Sequence, residues 1–351
     1  MDKKNYLAKT IIIRLANSFI LSVLILSSFI YFYRHSMGKI NPHQTTDEIW
    51  YPNQFCSNME EGYSWIHFDK NGFNNSYPKK KDELDILLIG SSHLEAIQMK
   101  SEENICYLLN NYFLDYYSYS IGMSGHFLPT NINNLTNAYN YYKPQKCLAI
   151  ECGIIKLKSN ELKSVLNGTF KRRIPNDKGI NYYIKNYTPL FKTLGQKIVG
   201  QIKLWEERSY ASILNKNNTK ETFKLDEKEE TVYCKVLNNF LAFARKSVPD
   251  EIPLIIFYHP SYSLQPNGSI KNNTDKWYLE VFAKACKNNN IVFIDTDNDL
   301  QELYKTRHIL PYGFINTAVG VGHLNKYGHE VIAKRLAKEI LKLEGEKNGS
   351  K

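Results

Sequence analysis

Short apolar runs, each bounded by turn residues and followed by a helix-like stretch, recur through the second part of the chain. A run of this kind indicates a strand buried on both faces of a parallel sheet. The predicted strands begin at Ile86, Tyr116, Cys147, Ile252 and Ile291. Because helices separate them, the pattern predicts an α/β fold: a three-layer α/β/α sandwich around a mainly parallel five-stranded sheet.

Between these runs, apolar residues recur every three or four positions, which is the period of an amphipathic helix. We predict helices from Ser92 to near Phe113, over 130–142, after Asp226, over 274–287 and after Asn325. Asp226 and Asn325 are residue types that cap helix N-termini. The last helix should turn Ile332, Leu336 and Ile340 inward.

A different pattern occupies the N-terminus. Residues 1–14 form a basic tail, and residues 15–33 then run without a charged side chain. That length is close to the roughly 20 residues that cross a bilayer as a helix. A cleaved signal peptide is the alternative, but the apolar region is long and no A-x-A site follows it. The excess of basic residues before the segment predicts a single-pass cell-membrane protein whose remaining chain is extracytoplasmic.

Polarity divides the remainder of the chain. Residues 34–84 are a polar, aromatic linker and lead-in, 85–344 hold the predicted α/β domain, and 345–351 are a polar tail. A basic insertion at 157–225, with helical patches around 190–206, interrupts the domain. In the lead-in, the stretch from Asp69 to Phe73 is typical of a tight turn.

The 351 residues carry a net charge of +10, and residues 156–225, with 15 Lys or Arg against 5 Asp or Glu, account for an excess of the same size. No nucleic-acid-binding motif accompanies this charge, so we predict no nucleic-acid partner. Lys171, Arg172 and Arg173 are instead predicted to meet an acidic glycan or anionic lipid headgroups. Neutralising this triplet should then weaken binding to acidic polysaccharide at low salt, because exposed charges are screened within about 10 Å at 0.1 M salt.

The spacing of the cysteines and glycines argues against a zinc site, a P-loop and a dinucleotide-binding loop. The six cysteines form neither a CxxC pair nor a zinc-ligand spacing, and buried free thiols are the expected state. The sequence contains no P-loop, and the stretch Gly320-Val321-Gly322 lacks the third glycine and preceding strand of a dinucleotide-binding loop. We therefore predict neither a metal nor a cofactor.

The candidate chemistry lies in two short blocks. Gly90-Ser91-Ser92 follows the first strand, where ligands bind in open α/β sheets. About 230 residues later, His323-Leu324-Asn325 precedes the last helix and offers a candidate general base. Taken alone, the stretch favours either serine as an ordinary helix N-cap over a nucleophile.

Together the two blocks resemble the SGNH (GDSL-type) hydrolase family, from about Phe68 to Glu344 with a long unmatched insertion. In that family a Gly-Asp-Ser block carries the nucleophile and a late Asp-x-x-His block carries the base. The resemblance implies that Ser92 is the nucleophile and His323 the base. It also implies an oxyanion hole formed by the Ser92 and Gly125 N–H groups, although Gly125 is equally explained as a turn glycine.

Other residues adjoin these blocks or end predicted strands. Five of them are possible pocket residues: Ser91, His93, His126, Glu151 and His259. Glu151 is expected either to face the site or to cap the edge of the sheet.

Two features of the family are missing. Position 320, where the Asp that orients the histidine is expected, is Gly, and the Asn that gives a third oxyanion donor is absent after Gly153. Asn160 lies nearby in the sequence. We therefore predict a Ser–His dyad, to which another acceptor supplies the missing support unless the protein is a pseudoenzyme. Gly320→Asp is expected to raise the rate, provided that the loop places the new side chain at Nδ1 of His323.

The resemblance implies a membrane-anchored esterase or O-acyltransferase that acts on acyl groups, commonly acetyl, of a cell-surface polysaccharide. A transferase of this type is expected to need a multi-spanning membrane partner that delivers the acyl group. Water and a sugar hydroxyl require the same serine and base. A non-catalytic glycan-binding or assembly protein of the same fold is the alternative.

Overall fold

A computed structural model of the chain describes residues 3–33, 39–41, 43–58, 61–75, 82–171, 226–318 and 320–349. The predicted helical patches at 190–206 and two members of the basic triplet, Arg172 and Arg173, lie outside the described residues. Lys171 is exposed.

The chain begins with a long helix and two small antiparallel strand pairs. Their bounds are α1 (Lys3–Tyr33), β1 (Lys39–Ile40), β2 (Glu48–Ile49), β3 (Phe55–Asn58) and β4 (Ser64–His67). The segment Lys9–Ser28 of α1 is long and apolar enough to cross a membrane, and none of it is buried within the chain. β1 pairs with β2, and β3 pairs with β4 as a hairpin.

A central five-stranded parallel sheet confirms the predicted architecture. The strands that follow β4 are β5 (Ile86–Ile89), β6 (Ser118–Ser120), β7 (Cys147–Cys152), β8 (Leu254–Tyr258), the small antiparallel pair β9 (Tyr262–Leu264) and β10 (Ile270–Asn272), and β11 (Val292–Asp295). The sheet has the order β11-β8-β7-β5-β6, and every neighbouring pair is parallel.

Helices cover the sheet on both sides. Their bounds are α2 (Ser92–Glu95), α3 (Ile105–Leu108), α4 (Leu128–Asn133), α5 (Leu135–Tyr142), α6 (Ser159–Leu166), α7 (Glu227–Lys246), α8 (Lys276–Asn288), α9 (Asp297–Arg307) and α10 (Lys326–Gly349). Asp226 caps α7 through a capping box with Glu229. Asn325 accepts the Tyr327 and Gly328 N–H groups at the start of α10. Both predicted caps are therefore confirmed.

Two predicted helices are interrupted. The helix expected from Ser92 to near Phe113 stops at Ala96, whose φ of 53° lies in the left-handed region. The Asn74 side-chain amide takes up the Glu95 and Ala96 carbonyls there, which ends the helical ladder. A 3₁₀ turn, α3 and a π-helical turn continue to Phe113. The helix expected over 130–142 is divided into α4 and α5 at Asn134.

Alternate residues of each strand reach opposite layers, as the strand period of two requires. Leu87 and Ile89 of β5 join the core beneath α7 and α8, which contribute Phe240 and Phe282. Ile86 and Leu88 point into the other core, where α10 contributes three buried residues that were predicted to face inward. These are Ile332, Leu336 and Ile340.

The lead-in segment packs into the same domain. Ile66, Phe68 and Phe73 are almost wholly buried and belong to the core beneath α7. The predicted turn forms around Asp69, which accepts the Phe73 N–H, and Gly72 adopts φ +82° with the Trp50 carbonyl too close for any side chain. The described residues between 39 and 75 therefore contribute to the folded domain as well as leading into it.

All six cysteines are free thiols, and five of them are buried. Cys147 and Cys152 lie at the two ends of β7, in opposite cores of the sheet. Burial raises the pKa of the Cys286 thiol, so its uncharged form is favoured.

Candidate active site

The Gly90-Ser91-Ser92 turn lies at the carboxyl end of β5, in the middle of the sheet. Ser91 is the N-cap of α2, and its hydroxyl accepts the His93 N–H at 3.2 Å. Ser92 is the first helical residue, so its own side chain is not used for capping. A Cβ at Gly90 would lie 2.8 Å from Cβ of Glu151 and 2.9 Å from Cβ of Leu94, so only glycine fits there.

His323 reaches this turn from the loop before α10. Its Nε2 lies 2.7 Å from Ser92 Oγ, although 231 residues separate the two in sequence. The side chain of His323 is 26% exposed, so the pair opens toward solvent. The structure thus brings the two predicted catalytic residues into hydrogen-bond contact.

Glu61, in the turn between β3 and β4, supplies a carboxylate to His323. Its Oε2 lies 2.5 Å from Nδ1 of the imidazole, and its Oε1 accepts the His323 backbone N–H at 2.5 Å. Because a carboxylate only accepts hydrogen bonds, Nδ1 carries a proton, and in the neutral ring Nε2 is then the acceptor for the Ser92 hydroxyl. Glu61 is therefore the other acceptor that the predicted Ser92–His323 dyad required, and the three residues form a Ser92–His323–Glu61 chain.

The lack of an Asp at position 320 does not leave His323 without a carboxylate, and position 320 itself is poorly suited to a side chain. It adopts φ +73°, and a Cβ there would lie 3.0 Å from the Leu310 side chain. The acid is instead Glu61, in the β3–β4 turn. Gly62, the residue after Glu61, binds this turn to the loop before His323. Gly62 donates its N–H to Asn316 Oδ1 at 2.7 Å, and its carbonyl accepts from Asn316 Nδ2 at 3.1 Å.

Gly322 is required for this contact. It adopts φ +105°, and a Cβ at this position would overlap Glu61 Oε1. We expect Gly322→Ala to displace the carboxylate from His323 and to lower kcat by about tenfold or more, since one displaced hydrogen bond is of the order of 1.4 kcal/mol. Steady-state kinetics on a soluble ester will measure this.

The matched control is Gly268→Ala in the β9–β10 turn. Gly268 also has a positive φ, of +78°, but nothing lies within 4 Å of the place that an alanine methyl group would take. It therefore carries the same backbone strain without touching Glu61. An equal loss of activity in both variants would show that strain alone is responsible and would contradict the role given to Gly322.

His93 packs between the base and the deeper wall of the site. Its ring centroid lies 4.9 Å from that of His323 and 4.8 Å from that of His259. Its Nδ1 accepts the Leu324 N–H at 3.1 Å, which fixes the loop that carries His323. Burial, followed by the charge of His259, holds the pKa of His93 well below its usual value, so the ring is neutral.

Both predicted oxyanion donors, Ser92 and Gly125, line one cavity of about 660 Å³. Within the described part of the chain, neither N–H group has a hydrogen-bond acceptor. Both are therefore available to a ligand in the cavity. Gly125 adopts φ +76°, a conformation that glycine reaches without strain.

Glu95 fastens the loop that presents Gly125. The Ser124 hydroxyl donates to Glu95 Oε2, and Trp50 Nε1–H donates to Glu95 Oε1 at 2.6 Å. Burial raises the pKa of Glu95, and the hydrogen bonds from Ser124 and Trp50 oppose that rise. Gly122 allows the close approach, because a Cβ there would overlap the Glu95 backbone nitrogen.

The five possible pocket residues also line this cavity. Its walls are Ser91, Ser92, His93, Gly125, His126, Phe127, Leu128, Glu151, Gly153, Ile154, His259, Ser261, Tyr262, Asn273, Tyr312, Gly320, Val321 and Gly322. Glu151 faces the site: its Oε2 accepts the Ser91 N–H at 2.6 Å, and its Oε1 lies 2.7 Å from His259 Nε2. His126 is buried, with Nε2 3.8 Å from an Asp47 carboxylate oxygen.

Some residues considered from the sequence lie elsewhere. Asn160 is an exposed residue of α6 that accepts the Glu161 N–H, so it does not replace the missing oxyanion Asn. His329 lies in α10 and is wholly buried, with its Nδ1 accepting the Ile105 N–H. Burial lowers the pKa of His329 to about 3. Lys171 is not among the residues that line the cavity.

Sequence reasoning missed Glu61 and Glu95. Glu61 stands next to a glycine between two short alternating segments, which is a turn signal and carries no sign of a partner 262 residues away. Glu95 follows the serine block in a helix-like stretch, where an acidic residue is ordinary. No local pattern distinguishes either residue.

No family model and no curated protein matches this chain. Among solved structures, it is similar to LAE5, an alpha/beta hydrolase enzyme from the metagenome of Lake Arreo, with 13% identity, coverage of 74% of this chain and 96% of that chain, and a TM-score of 0.38. It is similar to a member of the lipolytic G-D-S-L family from Veillonella parvula, with 12% identity, coverage of 73% and 97%, and a TM-score of 0.36.

A third similar structure is a variant of Axe2, an acetyl xylan esterase from Geobacillus stearothermophilus, with 15% identity, coverage of 73% and 94%, and a TM-score of 0.35. At these identities and TM-scores the similarities carry no argument about activity.

Proposed function

We propose that this protein is a serine esterase that removes acyl groups through Ser92, His323 and Glu61. One observation carries the proposal: Ser92 Oγ, the two imidazole nitrogens of His323 and the Glu61 carboxylate form one continuous hydrogen-bonded chain, with contacts of 2.7 and 2.5 Å. A nucleophile, a base and an acid that orients the base are the groups that acyl transfer through serine requires.

The reaction follows from this arrangement in two halves. Ser92 Oγ bonds to the ester carbonyl carbon while its proton passes to His323 Nε2. The ester C–O bond then breaks, and the departing alcohol takes that proton. Water repeats the sequence on the acyl-serine and releases the carboxylic acid. Glu61 stabilises the imidazolium that forms in each half.

The charge that develops on the carbonyl oxygen needs donors. The free N–H groups of Ser92 and Gly125 are suited to this role, because preformed donors stabilise an oxyanion without reorganising. The side chain of Glu95 acts as a positioning residue for Gly125 through Ser124. No third donor is assigned in place of the absent Asn.

The substrate class rests on the resemblance of the sequence blocks. It points to acyl groups, commonly acetyl, on a cell-surface polysaccharide. A sugar hydroxyl in place of water makes the same protein an O-acyltransferase, with a multi-spanning membrane protein as its acyl donor. That the basic triplet Lys171, Arg172 and Arg173 contacts an acidic polysaccharide or anionic lipid headgroups stays a prediction.

The test is the turnover of p-nitrophenyl acetate by the detergent-solubilised full chain, with and without an oligosaccharide acceptor. Release of p-nitrophenol and acetate identifies an esterase. Acetylation of the acceptor at the expense of free acetate identifies a transferase. Absence of turnover in every arm would favour the non-catalytic, glycan-binding alternative and contradict the proposal.

We further propose that the N-terminal helix anchors the protein in the cell membrane, with residues 35–351 outside the cytoplasm. The length and composition of Lys9–Ser28 and the basic tail before it support this orientation. Protease added to intact spheroplasts should degrade the domain and spare a cytoplasmic marker. Protection of the domain until detergent is added would contradict the orientation, and a shortened mature N-terminus would indicate a cleaved signal peptide.

A further inference from the structure

A buried acidic and basic pair lies behind the nucleophile turn. Glu151 lies near the end of β7, and His259 directly follows the neighbouring strand β8, where its N–H donates to the Cys152 carbonyl. The two side chains are 2% and 1% exposed, and His259 Nε2 lies 2.7 Å from Glu151 Oε1. Burying a charged group costs free energy unless an opposite charge or hydrogen bonds compensate it, so the protonation states of these two side chains are linked.

The hydrogen bonds around His259 fix how many protons the pair holds. Tyr312 Oη lies 2.7 Å from the Pro260 carbonyl and 2.8 Å from His259 Nδ1. A carbonyl only accepts, so the single hydroxyl proton of Tyr312 goes to Pro260. Tyr312 must then accept from Nδ1–H of His259. One further proton lies between His259 Nε2 and Glu151 Oε1.

That further proton belongs to His259. Glu151 already accepts the Ser91 N–H at 2.6 Å through its other oxygen, which favours the carboxylate form. Burial by itself would raise the pKa of Glu151. The hydrogen bond and charge of His259, with smaller contributions from His93 and Ser91, instead lower it to about 2.

We propose that Glu151 and His259 form a constant carboxylate–imidazolium pair that positions the nucleophile turn. This inference rests on the proposed function for its catalytic consequence. Glu151 holds the Ser91 N–H, which fixes the Gly90–Ser91 peptide one residue before the nucleophile, and Ser92 lines the cavity. His259 compensates the negative charge, which would otherwise oppose an oxyanion forming beside Ser92.

The other titratable groups that face the pair are His93, Tyr312, the buried thiol of Cys152 and, at longer range, His329. His93 and His329 each accept a backbone N–H at Nδ1, from Leu324 and Ile105 respectively. Each of these two imidazole rings therefore has one nitrogen without a proton, which we call a bare nitrogen. His259 is distinguished from both because neither of its nitrogens is left as an acceptor.

Glu151→Gln removes both charges and retains every hydrogen bond. The Gln oxygen accepts the Ser91 N–H, and its amide donates to Nε2 of a neutral His259. Nδ1–H of His259 still donates to Tyr312, which still donates to Pro260. This variant therefore separates the charge of the pair from its shape, whereas Glu151→Ala removes the acceptor of Ser91 altogether.

The decisive measurement is ¹⁵N NMR of the detergent-solubilised full chain labelled at its histidine rings, between pH 5.5 and 8.5. We expect His259 to show two protonated nitrogens throughout, while His93 and His329 each show one bare nitrogen. In Glu151→Gln, His259 should gain a bare Nε2. The variant His259→Gln assigns the signals. A bare nitrogen on wild-type His259, or an unchanged spectrum in Glu151→Gln, would overturn the proposal.

Kinetics test the positioning role separately. We expect kcat to fall about tenfold in Glu151→Gln, because a charge-assisted hydrogen bond to Ser91 becomes a neutral one, and further in Glu151→Ala, with KM little changed in both. Wild-type activity in Glu151→Ala would remove the positioning role. The NMR result does not depend on turnover, so an inactive wild type would contradict the proposed function and leave the charge state of the pair to be decided by the spectrum.

Discussion

Ser92→Ala is expected to abolish ester turnover, with a loss of at least about a thousandfold in kcat. The variant lacks the oxygen that forms the acyl-enzyme, and Ser91 cannot replace it because its hydroxyl accepts the His93 N–H at the N-cap of α2. Release of p-nitrophenol from p-nitrophenyl acetate by the full chain will measure the loss. His323→Ala should cost nearly as much, since nucleophile and base act as a unit.

The matched control is Ser91→Ala in the adjacent position. It removes an N-cap, which is worth about 1 kcal/mol of stability, and leaves Ser92 and His323 in place. We expect it to retain most of the activity. A fluorophosphonate probe followed by peptide mapping should label Ser92 in wild type and in Ser91→Ala. Label on Ser91, or turnover that survives in Ser92→Ala, would refute the assignment of the nucleophile.

Glu61→Gln is expected to lower kcat by about 10²- to 10⁴-fold with little change in KM. In the wild type, two oxygens of Glu61 hold the backbone N–H and the ring Nδ1–H of His323. Glutamine has one acceptor oxygen for these two donors and no negative charge to stabilise the imidazolium. Parallel measurement of kcat and KM on a soluble ester separates this loss from a loss of substrate binding.

Glu103→Gln is the control for removing a carboxylate that does not touch His323. Glu103 makes only a 3.8 Å ion pair with Lys326 among the salt bridges of the described chain, and such half-exposed pairs contribute little. We expect its activity to match the wild type. Near-normal activity in Glu61→Gln would show that His323 works as a dyad partner of Ser92 alone.

An Asp at position 320 should not rescue Glu61→Gln. Gly320 has a positive φ, and a Cβ there would press on Leu310. This replaces the expectation, drawn from the sequence, that Gly320→Asp raises the rate. Recovery of activity in the double variant would show that the loop relaxes enough to restore the family's usual position for the acid.

Much of the fold follows from local patterns in the sequence. Four of the five strands of the sheet lie in short, largely apolar runs, which are typical of strands buried in an α/β sheet, whereas β6 is Ser118–Ser120. The caps at Asp226 and Asn325 are recognisable because the N–H groups they satisfy are only two or three residues away. Ser92 and His323 were found for a related reason: each lies in a short block that resembles a known family.

Other features depended on contacts between distant segments. The helix after Ser92 stops at Ala96 because the amide of Asn74, outside that helix, takes its last carbonyls. Glu95 supports the Gly125 loop because its carboxylate accepts hydrogen bonds from Trp50 and Ser124, which are distant from it in sequence. These partners are distant in sequence and do not affect the local helix propensity. The local pattern therefore predicted a longer helix and gave Glu95 no special role.

The sequence by itself determined the strands, the helix caps and the two blocks that hold Ser92 and His323. Each of these depends on residues within a few positions along the chain. Only the tertiary structure decided which carboxylate serves His323. Glu61 reaches it because the β3–β4 turn is bound to Asn316 and because Gly322 leaves room for the carboxylate. An electrostatic contact acts over a few ångströms in space, whatever the separation along the chain, and here that separation is 262 residues.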